Sequence, residues 1–341
     1  MNLKLAISRR VALATAAVLT LLGATTAQAD ETRSITVLSW GLTWQTALQA
    51  ASEAYTKKTG VKVNLVTQSS SGEGLVKLQA MKSAPSVDVW LTTSSVAERA
   101  VTDQQLFMPL PAAQMPNLKD VMPGLATPNY VALYSYPLSI VYRNDLVDKP
   151  ITSWKELWDP RFAGRIAVPA MGFYQGRMLM IAANVGGKPG SADTGFDMLK
   201  KIKPNAAMFY NSDAQARQAL AQGEVSVLIA PPSQAKRVAD AGRPVKIVSP
   251  KGTPMNSDVA VLVRTPNSAL AADYLNFLLS ADINGQIAEK LNMSAINRKS
   301  TQPAALVDAL PKPGDEMVID EKNVNANIGA WTDRFNQEIA R

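Results

Sequence analysis

Apolar residues along this chain follow two alternating rhythms. Short β-branched and aromatic runs recur at 34–39, 61–67, 87–91, 165–168, 206–210, 225–229, 245–249 and 258–264, and each reads as a strand. Stretches with helical spacing lie between them. The first, 42–59, carries Ala47, Leu48, Ala51, Ala54 and Tyr55, with Thr43 as a possible cap and Gly60 as its stop. Further helices are predicted after the loop 68–74, at 174–185, 196–203, 212–222, 233–241, 270–280 and 283–291, and near 329–341. Strand alternating with helix at this spacing implies βαβ units and a parallel sheet, an α/β chain.

One stretch departs from this rhythm. Residues 131–142 form a longer apolar and aromatic run, read as a single extended strand closed by Arg143, Asn144 and Asp145. A short helix at 153–158 follows, with Ser153 as N-cap and Glu156 at the capping-box position. Asp159-Pro160 stops it, and the next strand ends at Pro169. Such an order suits a chain leaving one lobe and starting another, so this stretch is the predicted hinge crossing. Residues 108–128 are proline-rich and read as irregular surface connection. No internal repeat or low-complexity linker occurs, which fits lobes joined by crossing strands better than tethered beads.

Composition narrows the chemistry. At 341 residues the chain suits two domains, and its net charge of +7 is mild and unclustered, unlike a nucleic-acid binder or a polybasic membrane patch. There is no cysteine, hence no disulfide or thiol nucleophile, and no histidine, the commonest general base near neutral pH. With the serine-elbow, zincin and phosphate-loop motifs also missing, no enzyme, metal site or cofactor is expected. The amino-terminus has a basic segment (1–10), an apolar one (11–24) and Ala27-Gln28-Ala29 before Asp30, the pattern of a secretory signal peptide cleaved after Ala29. Ser8-Arg9-Arg10 also fits a twin-arginine signal, leaving Sec and twin-arginine export both open. The expected location is a bacterial periplasm.

In open α/β sheets ligands sit beyond the carboxyl ends of the strands, which makes the strand-to-helix loops the candidates. Trp40 and Trp44 are read as either cleft walls or core. Ser69, Ser70, Ser71 and Gly72 form either an anion cradle or a flexible loop ending in a cap; Thr93 and Ser94 face the same choice. Gly172 and Tyr174 lie in the loop 170–176, Ser212 in 211–213, and Pro231 and Ser233 in 230–234. Arg177 falls in the first turn of a predicted helix, where a cation opposes the dipole unless an anion joins it. Asn256 and Asp258 stand near the start of a strand, Asp258 as an acidic contact or a strand-edge charge.

Several segments together resemble the exported solute-binding proteins of ABC transporters, in the class II group that includes polyamine- and ferric-iron-binding proteins. They are TGVKVNLV near Gly60, TSWKELWDPRFAGRIAVP at 152–169, NSDAQARQALAQGEVSVLI at 211–229 and DVAVLVRTPNSALAADYLNFLLSADINGQIAE at 258–289. The resemblance implies a two-lobed periplasmic-binding-protein-like fold, each lobe a mixed, mostly parallel sheet flanked by helices, with a hinge of crossing strands. It puts lobe one at 30–135 plus 257–302 and lobe two at 136–256 plus 303–341. It also implies a monomer that closes on a small-molecule solute and delivers it to an ABC permease with its ATPase. Polyamine binders share Trp40 but carry acidic residues after the strand ending at Pro169, where this chain has Ala170-Met171-Gly172-Phe173-Tyr174. Their Trp-x-Asp becomes Met255-Asn256-Ser257, and the tyrosine pair of iron binders near Pro232-Ser233 is absent. Without fixed carboxylates a polycation would have no buried partner, so a small anionic or zwitterionic solute is expected, with polyamines as the alternative ligand and a sensor module as the alternative role.

Overall fold

A computed structural model describes residues 33–340 except Pro313, and the predicted export segment and its cleavage site lie outside the described residues. The chain runs β1 (Ser34–Trp40), α1 (Thr43–Thr59), β2 (Lys62–Gln68), α2 (Ser71–Ala80), β3 (Val89–Thr93), α3 (Ser94–Ala100), β4 (Phe107–Met108) and β5 (Tyr130–Pro137). Next come β6 (Ser139–Arg143), β7 (Ile166–Pro169), α4 (Arg177–Val185), α5 (Ala192–Ile202), β8 (Ala206–Tyr210), α6 (Asp213–Gln222), β9 (Val227–Ala230), α7 (Pro232–Asp240) and β10 (Val245–Val248). The remainder is β11 (Thr253–Val263), α8 (Ser268–Leu278), α9 (Ala281–Leu291), α10 (Ala304–Val307), β12 (Glu316–Met317) and α11 (Glu321–Glu338).

These strands make two sheets. In the first, the order β2-β1-β3-β11 sets three parallel strands beside an antiparallel one, and β11 also pairs with β4, β5 and β12. In the second, the order β8-β7-β9-β6-β10 repeats the scheme: β7 is parallel to β8 and β9, and β6 is antiparallel to β9. The two-residue period of a strand sorts the second sheet's side chains cleanly. Ile140 and Val168 enter one core with Leu179 and Phe196, while Val141 and Ala167 enter the opposite one with Leu220 and Leu228. Both faces are covered, which is why these strands read as unbroken apolar runs. The last helix belongs to this half, since Val324, Trp331 and Phe335 are buried in the core built on Ile140.

The run 131–142 is two strands rather than one. It breaks at Leu138, with β5 in the first sheet and β6 in the second. Apolarity is continuous there because both strands are buried, so periodicity alone cannot register the change of sheet. The return crossing is longer than predicted: β11 begins at Thr253, and the Leu138 N–H bonds the Pro254 carbonyl at 3.0 Å. The predicted capping box holds, with the Glu156 carboxylate accepting from the Ser153 N–H at 3.0 Å, though it opens a 3₁₀ helix (Trp154–Trp158). The helix predicted from 174 starts at Arg177, because Tyr174, Gln175 and Gly176 all take positive φ (55°, 50° and 68°). Thr43 is not a cap; the cap position is Leu42, which makes no side-chain bond there.

Candidate functional site

The two crossing strands carry the centre of the site. In the β5–β11 ladder Tyr134 faces Asp258 and Tyr136 faces Asn256, and residues two apart on a strand share a face. Four polar side chains therefore form one patch at the cleft end of β3, where Asp258 also pairs with Thr93. The register shifts just beyond it, between Asp258 and Val259.

Asp258 is 4% exposed. Its Oδ2 accepts from the Tyr134 hydroxyl at 2.7 Å, and that hydroxyl accepts from the Trp44 indole N–H at 2.6 Å. Its Oδ1 is buried without a partner among the described residues. Burial pushes the carboxyl up to about 7, against the opposing pull of the Tyr134 and Tyr136 hydroxyls. Those two phenols rise well above their ordinary value, first through burial and then through Asp258.

Arg177 lies opposite, 2% exposed, at the first position of α4. Its Nε donates to Asn256 Oδ1 at 2.9 Å and its Nη2 makes a short ion pair with Glu321 on α11. The left-handed run 174–176 turns the chain so that Tyr174 reaches the same region. The Tyr174 hydroxyl donates to Asp213 Oδ1 at 2.7 Å, and Gln234 Nε2 donates to Asp213 Oδ2 at 3.0 Å. Burial raises the Asp213 carboxyl, opposed by the Tyr174 bond and by Arg217 and Arg237.

The two halves touch across this region. Arg237 Nη2 donates to Thr43 Oγ1 at 3.1 Å, Asn292 Nδ2 to the Pro232 carbonyl at 3.4 Å, and Asn325 Nδ2 to the Ser95 carbonyl at 3.0 Å.

Of the predicted residues, Trp44, Tyr174, Arg177, Asn256 and Asp258 meet here. Trp40 stands 6.0 Å from Trp44, and both line a small apolar gap with Tyr134 and Leu291 while packing on the first core. Pro231 and Ser233 are buried at the start of α7, beside the Asn292 contact. Thr93 lies on the strand paired with Asp258, and its N–H donates to Ser71 Oγ at 3.2 Å. Other loop residues serve their own turns. The Ser69 N–H and hydroxyl both go to Glu73, Ser70 caps α2 by accepting from the Glu73 N–H at 3.1 Å, and Gly72 sits in that first turn. The short side of Gly74 lets this turn press on Gln68 and Trp90: a Cβ there would meet Gln68 Oε1 at 1.8 Å. Ser212 caps α6, Ser94 begins α3, and Gly172 is exposed beside Thr332 of α11.

Tyr134, Tyr136, Glu321 and Asn325 are not among the expected contacts, and Asp213 lies in the candidate loop 211–213, of which only Ser212 is singled out. Alternating tyrosines in the hinge run were a usable signal; nothing local marks Glu321. Asp213 and Glu321 bring carboxylates to this region beyond Asp258, which the expectation of a polycation without a buried partner left out. An open groove walled by Lys149, Arg161 and Arg165 lies instead where β7 and β9 begin, and holds none of these residues. Among the described residues no cluster of acids is arranged to hold a metal, and no helix is long and apolar enough to cross a membrane.

Comparison with known proteins agrees with this architecture. The spermidine/putrescine-binding periplasmic protein of Escherichia coli is 24% identical over 313 residues, covering 87% of this chain and 88% of that protein. The gamma-aminobutyric acid-binding protein of Pseudomonas aeruginosa is 26% identical over 295 residues, covering 82% of each. The crystal structure of an ABC transporter protein from Clostridium perfringens superposes with a TM-score of 0.77 at 25% identity, covering 89% of this chain and 99% of that one. Solved structures of this kind share the two-lobed class II fold. The bacterial extracellular solute-binding protein model matches residues 50–312, and the chain belongs to that family, whose members capture small solutes for ABC transporters.

Proposed function

We propose that this protein binds a small zwitterion, an amino acid with its amine and carboxylate separated by a few methylenes, and delivers it unchanged to a membrane permease driven by an ATPase. The observation that carries the reading is the Oδ1 of buried Asp258, which makes no hydrogen bond among the described residues, with the guanidinium of Arg177 beyond the intervening Asn256. A carboxylate left half-satisfied in a buried place is poised for a cation, and an ammonium supplies both charge and N–H donors. Arg177 offers the matching fork for a carboxylate. Asn256 and Asp258 are two residues apart on β11, roughly 7 Å along the strand, which suits a ligand with separated charges. Tyr134, Tyr136 and Trp44 give the apolar middle its walls. The gamma-aminobutyric acid-binding relative makes this class chemically natural.

In this reading lobe one (30–135 plus 257–302) and lobe two (136–256 plus 303–341) close about the crossings near 136 and 256. The protein works as an exported periplasmic monomer with no turnover of its ligand. A polyamine is the second reading, favoured by the number of carboxylates near the cleft: Asp258, Asp213 and Glu321. The test is calorimetry against 4-aminobutyrate, 5-aminovalerate, putrescine, spermidine, a sugar phosphate and a phosphonate. The proposal expects the two amino acids to bind, and saturation at 100 times Kd to raise stability by about 2.7 kcal/mol. Binding of putrescine or spermidine with no response to either amino acid replaces it by the polyamine reading.

A further inference from the structure

We infer that Glu321 is a built-in stand-in for the ligand's carboxylate: it holds Arg177 until a ligand carboxylate displaces it, and so sets how strong an anion must be to enter. This rests on the zwitterion reading for the identity of the incoming group. The guanidinium is almost wholly buried, and Glu321 is its only carboxylate partner among the described contacts. The remaining bonds go to neutral oxygens, Asn256 Oδ1 at 2.9 Å and the Gln175 carbonyl at 3.5 Å. A buried arginine without a counter-anion would be strongly unfavourable, so the empty cleft needs a carboxylate there.

Glu321 fills that need without being fixed in place. Its Oε2 makes no hydrogen bond among the described residues, and the side chain as a whole keeps 26% of its surface exposed. It is the first residue of α11, held from behind by Val324, Trp331 and Phe335 in the second core. One turn on, Asn325 bonds the Ser95 carbonyl on the opposite half, so the same helix end answers both to the arginine and to closure. Two further polar atoms near the pair make no hydrogen bond among the described residues: Asn256 Nδ2, on a side chain 9% exposed, and Asn325 Oδ1. A ligand carboxylate that takes Arg177 can also accept from Asn256 Nδ2, which the Glu321 pairing leaves unused.

The test compares the wild-type protein with Glu321→Gln, and with Glu321→Asp as a milder variant whose folding is checked by circular dichroism. Probes are 4-aminobutyrate, butyrate (no amine) and butylamine (no carboxylate). Removing the competitor should tighten 4-aminobutyrate at least tenfold, make butyrate a detectable ligand by thermal shift, and leave butylamine within threefold. Glu321→Asp should fall between. Loss or no change of affinity for both carboxylates in the folded variants overturns the inference, and weakened butylamine binding would instead make Glu321 an amine contact. If Glu321→Gln gains butyrate binding while no form binds 4-aminobutyrate, the stand-in role holds and the zwitterion reading fails by itself.

Discussion

The two halves of this molecule share a sheet plan and differ in how they treat buried charge. Each places three parallel strands beside one antiparallel strand, β2-β1-β3-β11 in one and β8-β7-β9-β6 in the other. On the first wall a lone carboxylate, Asp258, is buried against tyrosines with one oxygen idle, and its proton affinity rises in response. On the second wall Arg177 is buried equally deeply but is paired with a carboxylate from its own half, Glu321 of α11. Burial alone therefore does not predict strain. In the proposed reading one wall holds an unmet need that a cation relieves, and the other gives up a partner before it takes a new one.

The sharpest way to break this contrast is Arg177→Met. Glu321 and Asn256 are then left without their partner, and removing one member of a buried ion pair destabilises by about 3–5 kcal/mol, to be read from denaturant midpoints. Asp258→Asn should act in the opposite sense on the empty protein. From about pH 4 to about 7 the folded carboxyl keeps a proton that the unfolded one has lost, so wild-type stability falls as pH rises through that window and levels above it. The variant lacks this slope and gains up to about 4 kcal/mol at pH 8 relative to a charged Asp258. It should also lose amine binding and the proton release that accompanies it, measured by calorimetry in two buffers of different ionisation heat. A steeper pH dependence in the variant would refute the assignment.

Smaller effects sharpen the picture. Tyr134→Phe strands the Trp44 N–H and Asp258 Oδ2, costing about 1–3 kcal/mol by thermal unfolding, with a further rise in the Asp258 titration. Ser70→Ala removes only the cap of α2, about 1 kcal/mol, and should leave ligand affinity unchanged in the same calorimetric assay. A large affinity loss would return the loop 69–72 to the binding surface.

Much of the architecture was legible because its elements announce themselves locally. The alternation of apolar rhythms located β1, β2, β8 and α6 within a residue or two, and Gly60 and Gly223 mark helix ends through left-handed backbone. What stayed hidden depended on distant parts of the chain. Tyr134 and Tyr136 looked like ordinary members of an apolar strand until β11 set Asp258 and Asn256 against them. The first turns of α11 are polar and rich in asparagine, so the helix was read as starting near 329, and Glu321 vanished into a tail. A pairing across 144 positions has no periodic signature. Arg177 and Asp258 are visible as candidates for local reasons: a cation in the first turn of a predicted helix opposes its dipole, and an acid at the edge of an apolar strand needs an explanation.

The break at Leu138 has a mechanical meaning. One residue, Leu138, separates a strand of one sheet from a strand of the other; Pro137 stiffens the junction, and the Leu138 N–H donates to the Pro254 carbonyl on the returning chain. Two short straps tied side by side bend like a book's spine and resist twisting or sliding. In the proposed closure the lobes would turn about this point, and Asp258 and Asn256, a few residues from the fold line, would travel least. On that reading a molecule too long or too short would meet misaligned walls, and the geometry of the spine would act as a ruler for what is carried.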